Sequence, residues 1–269
     1  MKVIVLGTAA GGGFPQWNCA CPTCRNPDLE PRTQDGLAIS ADGENWFLVN
    51  ASPDLRSQIL ATPELHAGPG LRDTPIRGVL LTDAELDHTL GLLLLREAET
   101  LEIHGPPAVL NALSRFRDIT DRYHAWTWSP VPDELDGITI KTLAVSDKRP
   151  RYADDPAPGP WVVAYRFEHH GGSFVYAPCV AHLPDGFEQF AAGATYVLLD
   201  GTFHSADEMP GQTVMGHLPI ATTIEQLDLP LAFTHLNNTN PVIDPTSPER
   251  AAVEKHGHLI PNDGTRWEI

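Results

Sequence analysis

The chain has 269 residues, 42% of them hydrophobic, enough to bury one sizeable core, so a single domain over 1–269 is expected. Its 18 basic and 35 acidic residues leave a formal charge of −17, which repels phosphate backbones and anionic lipid. Nucleic acid and membranes are therefore disfavoured as partners.

In chain order, the apolar run at 3–6 is too short for an export signal and reads as part of a first strand over 2–6. Segments rich in Val, Ile, Phe and Tyr predict further strands at 37–40, 46–49, 78–81, 138–143, 162–167, 173–176, 195–199 and 231–233. Helical spacing predicts helices at 53–61, 89–96, 107–119, 186–191, 221–227 and 248–255. Strands grouped with single helices between them suit an α/β architecture of the αββα kind, two mixed sheets face to face and flanked by helices. The pattern alone also admits a doubly wound sheet. The longest apolar run, 90–95, is broken by Gly91 and ends at Arg96, far short of the ~20 residues that span a bilayer, so a soluble, cytoplasmic protein is expected. Residues 147–160, DKRPRYADDPAPGP, predict an exposed loop, either a solvated connector or a lid over a site.

Two segments carry chemistry. The first, FPQWNCACPTC, sets Cys19, Cys21 and Cys24 in a C-x-C-x-x-C arrangement after the glycines Gly11, Gly12 and Gly13. Three thiolates on one tight turn suit a tetrahedral zinc ion with Zn–S distances of about 2.3 Å. Such a structural zinc is expected to staple the N-terminal loop to the core. Its fourth ligand must come from elsewhere: His235, Asn238, Cys179 or a water.

The second segment is LLTDAELDHTLGLLLLRE, in which a strand runs into Asp83, Glu85, Asp87 and His88. Three carboxylates within five residues repel one another unless they are protonated, solvated or bound to a cation. A metal resolves that conflict. For Asp83 or Asp87 taken singly, capping the helix near Thr89 is the plainer alternative.

The pattern TDAELDHTLG, beginning at Thr82, resembles the metallo-β-lactamase signature T-H-x-H-x-D-H-x-x-G with its first two histidines replaced by Asp83 and Glu85. Together with GTAAGGGFPQWNCACPTC, NASPDLRSQI and FTHLNNTNP, it resembles the pyrroloquinoline quinone biosynthesis B family through nearly the whole chain. The positions similar to the superfamily's further ligands are Asp147, Cys179, Asp200 and His235. The resemblance implies one active-site metal held by Glu85, Asp87, His88 and His235, with Asp83 in the same group and Asp200 a further ligand or base. That oxygen-rich set suits Fe(II) or Mn(II) better than a His-rich zinc centre does, with zinc itself as the remaining candidate. His217 falls near the site by the same resemblance, as an acid, a base, a substrate contact or a structural histidine.

The implied activity is oxygen-dependent hydroxylation of the tyrosine in a small peptide-derived Glu-Tyr substrate, with other enzymes of the same pathway as partners. A metal-dependent hydrolase and a non-enzymatic carrier of the cofactor or its precursor are the alternatives. The glycine run lacks the spacing of a nucleotide loop and is expected to let the backbone pass close to the metal centre. Ser52 or Asp54 is expected to cap the helix at 53–61, with Asn50 facing the site. His204 shares the ambivalence of His217. His169 and His170 read as a surface hairpin turn, and His256 and His258 as an exposed C-terminal segment. Tyr123, His124, Trp126 and Trp128 read as core or interface packing, or else as a pocket wall for an aromatic substrate.

Overall fold

Apolar alternation gives most strands two buried faces, which only a layered fold can cover on both sides. The computed structural model describes residues 1–153 and 159–269; residues 154–158, inside the expected loop at 147–160, lie outside the described residues. The strands are β1 (Lys2–Gly7), β2 (Gly36–Ser40), β3 (Trp46–Val49), β4 (Ile76–Leu80), β5 (Glu102–His104), β6 (Thr127–Ser129), β7 (Glu134–Leu135), β8 (Ile138–Ser146), β9 (Val162–His169), β10 (Gly172–Ala177), β11 (Tyr196–Asp200), β12 (Leu231–Thr234) and β13 (Arg266–Glu268). They form a sheet of order β13-β1-β2-β3-β4-β5-β6 and a second of order β12-β11-β10-β9-β8-β7. Both sheets are mixed: β3 to β6 run parallel, as do β10, β11 and β12, while the remaining neighbours are antiparallel.

Val3, Val5, Leu37, Ile39, Phe47 and Val49 of the first sheet meet Val163, Tyr165, Phe167, Phe174, Tyr176 and Leu198 of the second in a middle layer. The intervening Ile4, Ala38, Trp46, Leu48 and Val79 pack with Leu55, Val109 and Leu113 of the outer helices. On the far side Ala164, Val175, Ala177, Val197 and Leu199 pack with Phe187, Ile220 and Val253 of Phe187–Ala191, Ile220–Gln226 and Pro248–Lys255. This is the αββα sandwich expected from the pattern. Tyr165, Phe167, Phe174 and Tyr176 are fully buried, and each such side chain contributes about 1.5–3 kcal/mol, so the middle layer holds the sheets together.

Local details differ from the sequence reading. The helix expected at 107–119 is two, Pro107–Ala112 and Ser114–Thr120, separated by buried Leu113. The helix expected from 89 is a short α-helix, Leu86–Thr89, followed by 3-10 turns over Leu90–Glu97. There Gly91 presses on the chain at Ala51 and Ser52; a Cβ on Gly91 would lie 2.3 Å from the Ser52 carbonyl oxygen. Neither Ser52 nor Asp54 caps Leu55–Ala61. Ser52 Oγ donates to Gln58 Oε1, and Asp54 Oδ2 instead accepts from the Gln34 backbone and amide. His258 is buried at 8% against the edge of Phe233, contrary to the exposed tail expected, because the chain there pairs with β12 through Ala232. Trp126 and Trp128 join the outer core, and Tyr123 lies exposed beneath the Arg96 guanidinium. Among the described residues no helix is long and apolar enough to cross a membrane.

Candidate metal centre

The carboxyl ends of the parallel strands meet along one rim. The chain leaving β4 supplies Asp83, Glu85, Asp87 and His88, that leaving β10 supplies Cys179, β11 ends at Asp200, and β12 is followed at once by His235. His235 has a positive φ of 56°, a backbone state that costs a non-glycine residue roughly 1–2 kcal/mol and here turns the ring back over the sheet ends. His88, Cys179 and His235 each offer a donor atom within 4.8 Å of the others. Cys179 Sγ is 3.9 Å and Asp87 Oδ2 3.3 Å from His235 Nε2. Two ligands held at about 2.1 Å from one tetrahedral ion stand roughly 3.4 Å apart, so these spacings fit a shared cation.

The supporting bonds orient each ring. His88 Nδ1 lies 2.8 Å from Asp83 Oδ2, which leaves Nε2 as the inward atom; among the described residues that buried Nε2 has no hydrogen-bond partner. An orphaned buried nitrogen is costly unless something absent from the polypeptide satisfies it. Burial opposes charge on His88, but Asp83 and Asp87 outweigh it and push its pKa up to about 10, so the carboxylates around that ring favour positive charge beside them. Burial also opposes ionisation of Asp87, yet His88 and His235 hold its carboxyl well below the usual range. A histidine donating one ring nitrogen to a carboxylate while offering the other is the usual posture of a metal ligand.

Asp83, grouped by sequence with the ligands, spends its oxygens within the protein: Oδ2 on His88 and the Thr82 hydroxyl, Oδ1 on the Glu85 amide. Glu85 lines the cavity but, like Asp87, belongs to none of the three close groups, and unlike Asp87 it has no hydrogen bond to His235; burial raises its carboxyl with Asp83 adding to the effect. Asp147 is exposed and His204 half-buried, and both are absent from the cavity wall.

Asp200 forms a second arrangement with His217 and His235, donor atoms again within 4.8 Å. Its Oδ2 accepts from the Val180 amide and lies 2.7 Å from His217 Nδ1, while Oδ1 accepts from the amide and hydroxyl of Thr202. Thr202 Oγ1 is also 2.9 Å from His235 Nδ1 and 3.0 Å from His217 Nδ1, so one hydroxyl joins both histidines to one carboxylate. Below them lies Asp35, wholly buried, which accepts from the Tyr176 and Thr234 hydroxyls, while Tyr176 reaches Asn50 Nδ2 and Asn50 Oδ1 accepts from Thr82. Burial raises the Asp35 carboxyl, with the nearby histidines opposing. Asp35 and Thr202 were not legible in the sequence; only the position of Thr202, two residues after Asp200, could have drawn attention to it.

The three thiols of the N-terminal loop also come together, donor atoms within 4.8 Å. The Asn238 side-chain amide faces all three, at 3.1 Å from Cys19, 3.4 Å from Cys24 and 3.8 Å from Cys21. Burial opposes ionisation of Cys21, but the Cys24 backbone and the Cys19, Cys24 and Asn238 side chains outweigh it and lower its pKa to about 7, a thiol ready to bind metal. Of the fourth ligands open at the sequence level, Asn238 stands here, whereas Cys179 and His235 belong to the other cluster. Asn238 follows His235 by three residues, so the sulfur cluster is tied to the loop that carries His235.

A cavity of about 910 Å³ opens over these groups, walled in part by Gly11, Gly12, Asp87, Tyr152, His217 and His235. The glycine turn does pass close: Gly12 and Gly13 have φ of 99° and 68°, and a Cβ on Gly11 would lie 3.1 Å from Asp87 Oδ2.

The beta-lactamase superfamily domain matches residues 45–230. The coenzyme PQQ synthesis protein B of Methylobacterium sp. (strain 4-46) is 37% identical over 298 aligned positions, covering 98% of this chain and 98% of that one. That of Rhodopseudomonas palustris (strain BisB5) is 38% identical over 305 positions, again covering 98% of each. The crystal structure of Zn(2+)-bound PqqB from Methylobacterium extorquens superposes with a TM-score of 0.92 at 35% identity over 100% of both chains. A diphosphatase from the PhnP family, at TM-score 0.75 and 21% identity over 100% of this chain and 96% of its own, shares the fold. The two packed mixed sheets and the rim of histidine, cysteine and carboxylate groups thus define a protein of metallo-β-lactamase fold. Within that superfamily the chain belongs to the coenzyme PQQ synthesis protein B family.

Proposed function

We propose that this chain acts in the synthesis of coenzyme PQQ as an iron-dependent hydroxylase of the tyrosine ring in a peptide-derived Glu-Tyr precursor. The observation that supports this reading is the buried His88 Nε2, without a hydrogen-bond partner among the described residues, beside His235 and Asp87, two imidazoles and a carboxylate close together at the base of the cavity. Two histidines and one carboxylate with open positions are the ligand set of non-haem Fe(II) oxygenases. His88, His235 and Asp87 would hold the ion, with Cys179 alongside, and iron bound there would supply the activation of O₂.

The protein's own residues do the rest. Asp83 and Thr202 hold the two imidazoles with Nε2 inward, so no reorientation is needed when the ligand set forms. Asp200 fixes Nδ1 of His217, which leaves Nε2 to take or give a proton at a substrate hydroxyl. The reaction balances as ring C–H plus O₂, two electrons and two protons giving ring C–OH and water, the electrons coming from an external two-electron reductant. The sulfur cluster plays no part in this step; in our reading Cys19, Cys21 and Cys24 hold a structural zinc whose fourth donor is the Asn238 amide oxygen after a half-turn of that group.

A second reading, zinc-dependent hydrolysis, has one observation in its favour, the soft Cys179 sulfur among the active-site donors. Anaerobically prepared protein given Fe(II), a reductant, Glu-Tyr and then O₂ separates the two. Gain of one oxygen atom by mass supports hydroxylation. Cleavage of the peptide with zinc alone supports hydrolysis and overturns the first reading.

A further inference from the structure

This acidic chain gathers positive charge at one edge of its cavity. Among the described residues Lys148, Arg149 and Arg151 are the only Lys or Arg side chains on the wall, and all three are exposed at its mouth. Over most of its surface a chain of formal charge −17 repels an anion, so a local reversal of sign favours the approach of an anionic substrate.

The basic segment is strapped in place. It leaves β8 at Ser146, itself on the cavity wall, and Lys148 Nζ donates to the Met215 carbonyl at 2.5 Å on the opposite loop. Tyr152 Oη donates at 2.5 Å to the Ala84 carbonyl, between Asp83 and Glu85 in the ligand loop. The segment carrying the two arginines is thereby anchored on both sides, at Lys148 and at Tyr152. Leu86, Val214 and Met215 line the same cavity while 43%, 79% and 38% exposed, an apolar surface suited to an aromatic ring. A guanidinium fork matches a carboxylate in two parallel hydrogen bonds, which a lysine cannot do.

We propose that Arg149 and Arg151 form a carboxylate-recognition subsite, which grips the acidic groups of a peptide-derived substrate while its ring rests on Leu86, Val214 and Met215. This inference rests on the Glu-Tyr reading of the same cavity and names the residues that select that substrate. Two carboxylates on the dipeptide match two guanidinium groups; a phosphate ester is the competing anion. Lys148, bonded to the Met215 carbonyl, anchors the segment that carries the two arginines.

The test is calorimetric binding to the full-length, zinc-loaded protein without turnover, using Glu-Tyr, its uncharged counterpart Gln-Tyr-amide, and phosphotyrosine. Arg149→Gln and Arg151→Gln should each weaken Glu-Tyr by about tenfold to hundredfold, the worth of a hydrogen bond between charged groups. Gln-Tyr-amide affinity, zinc content and melting temperature should stay as in the wild type, and added salt should weaken only the acidic peptide. The proposal is overturned if the substitutions leave Glu-Tyr unaffected or weaken both peptides equally, if the wild type does not bind Glu-Tyr, or if it prefers phosphotyrosine. Because binding is read without chemistry, carboxylate discrimination without hydroxylation would uphold the subsite and reject only the reaction.

Discussion

Asp83→Ala should loosen the active-site metal while leaving the fold standing. The Asp83 carboxylate lies 2.8 Å from His88 Nδ1 with both side chains buried, and alanine leaves that nitrogen without its acceptor and the ring free to turn. Carboxylates that orient a ligating histidine are typically worth 10–100-fold in metal affinity, or about 1.4–2.7 kcal/mol. Asp83→Asn keeps an acceptor for Nδ1 but removes the charge, so its loss should fall near the lower end, about tenfold. Competition of Zn(II) or Fe(II) against a chromophoric chelator measures this, in a Cys21→Ser background so that one site is counted. An alanine variant that binds the ion as tightly as its parent would refute the role given to Asp83.

Three further outcomes follow from other parts of the structure. Cys21→Ser should lose one zinc equivalent and melt earlier, since a metal present at 100 times its dissociation constant stabilises by about 2.7 kcal/mol; metal counting and thermal melting check both. Gly11→Ala places a methyl group 3.1 Å from Asp87 Oδ2 and should weaken the active-site metal with little change in melting temperature. Glu168, held by Lys141 and Arg166, has its carboxyl lowered chiefly by hydrogen bonds from those two, so its stabilisation is present above the ordinary glutamate pKa of about 4.3 and is lost as pH falls through the lower folded value. Glu168→Gln should therefore cost about 0.5–1 kcal/mol near pH 7, modest because Lys141 is largely exposed, and the gap from wild type in denaturant melts should close in acid.

The strands that build the sandwich were legible because their residues alternate between two apolar environments, as Val3, Ile4, Val5 and Leu6 do. The strands β5, β6, β7 and β13 were not, since two or three residues carry no periodicity and owe their form to a neighbour; β13 exists through its pairing with β1 from the far end of the chain. The ligand loop and the thiols announced themselves by local crowding of like groups. What each carboxylate does was hidden, because Asp83, Glu85 and Asp87 look alike in sequence and differ only in what folding sets beside them. Asp35 illustrates the limit: its partners Tyr176 and Thr234 lie 141 and 199 positions away, and no local pattern connects them.

The most direct test is a metal count on anaerobically reconstituted wild type and His88→Ala. Wild-type protein should hold iron in addition to cysteine-bound zinc, and His88→Ala should lose the iron and turnover while keeping the zinc and its melting temperature. Iron retained in full by His88→Ala would contradict the metal centre described here.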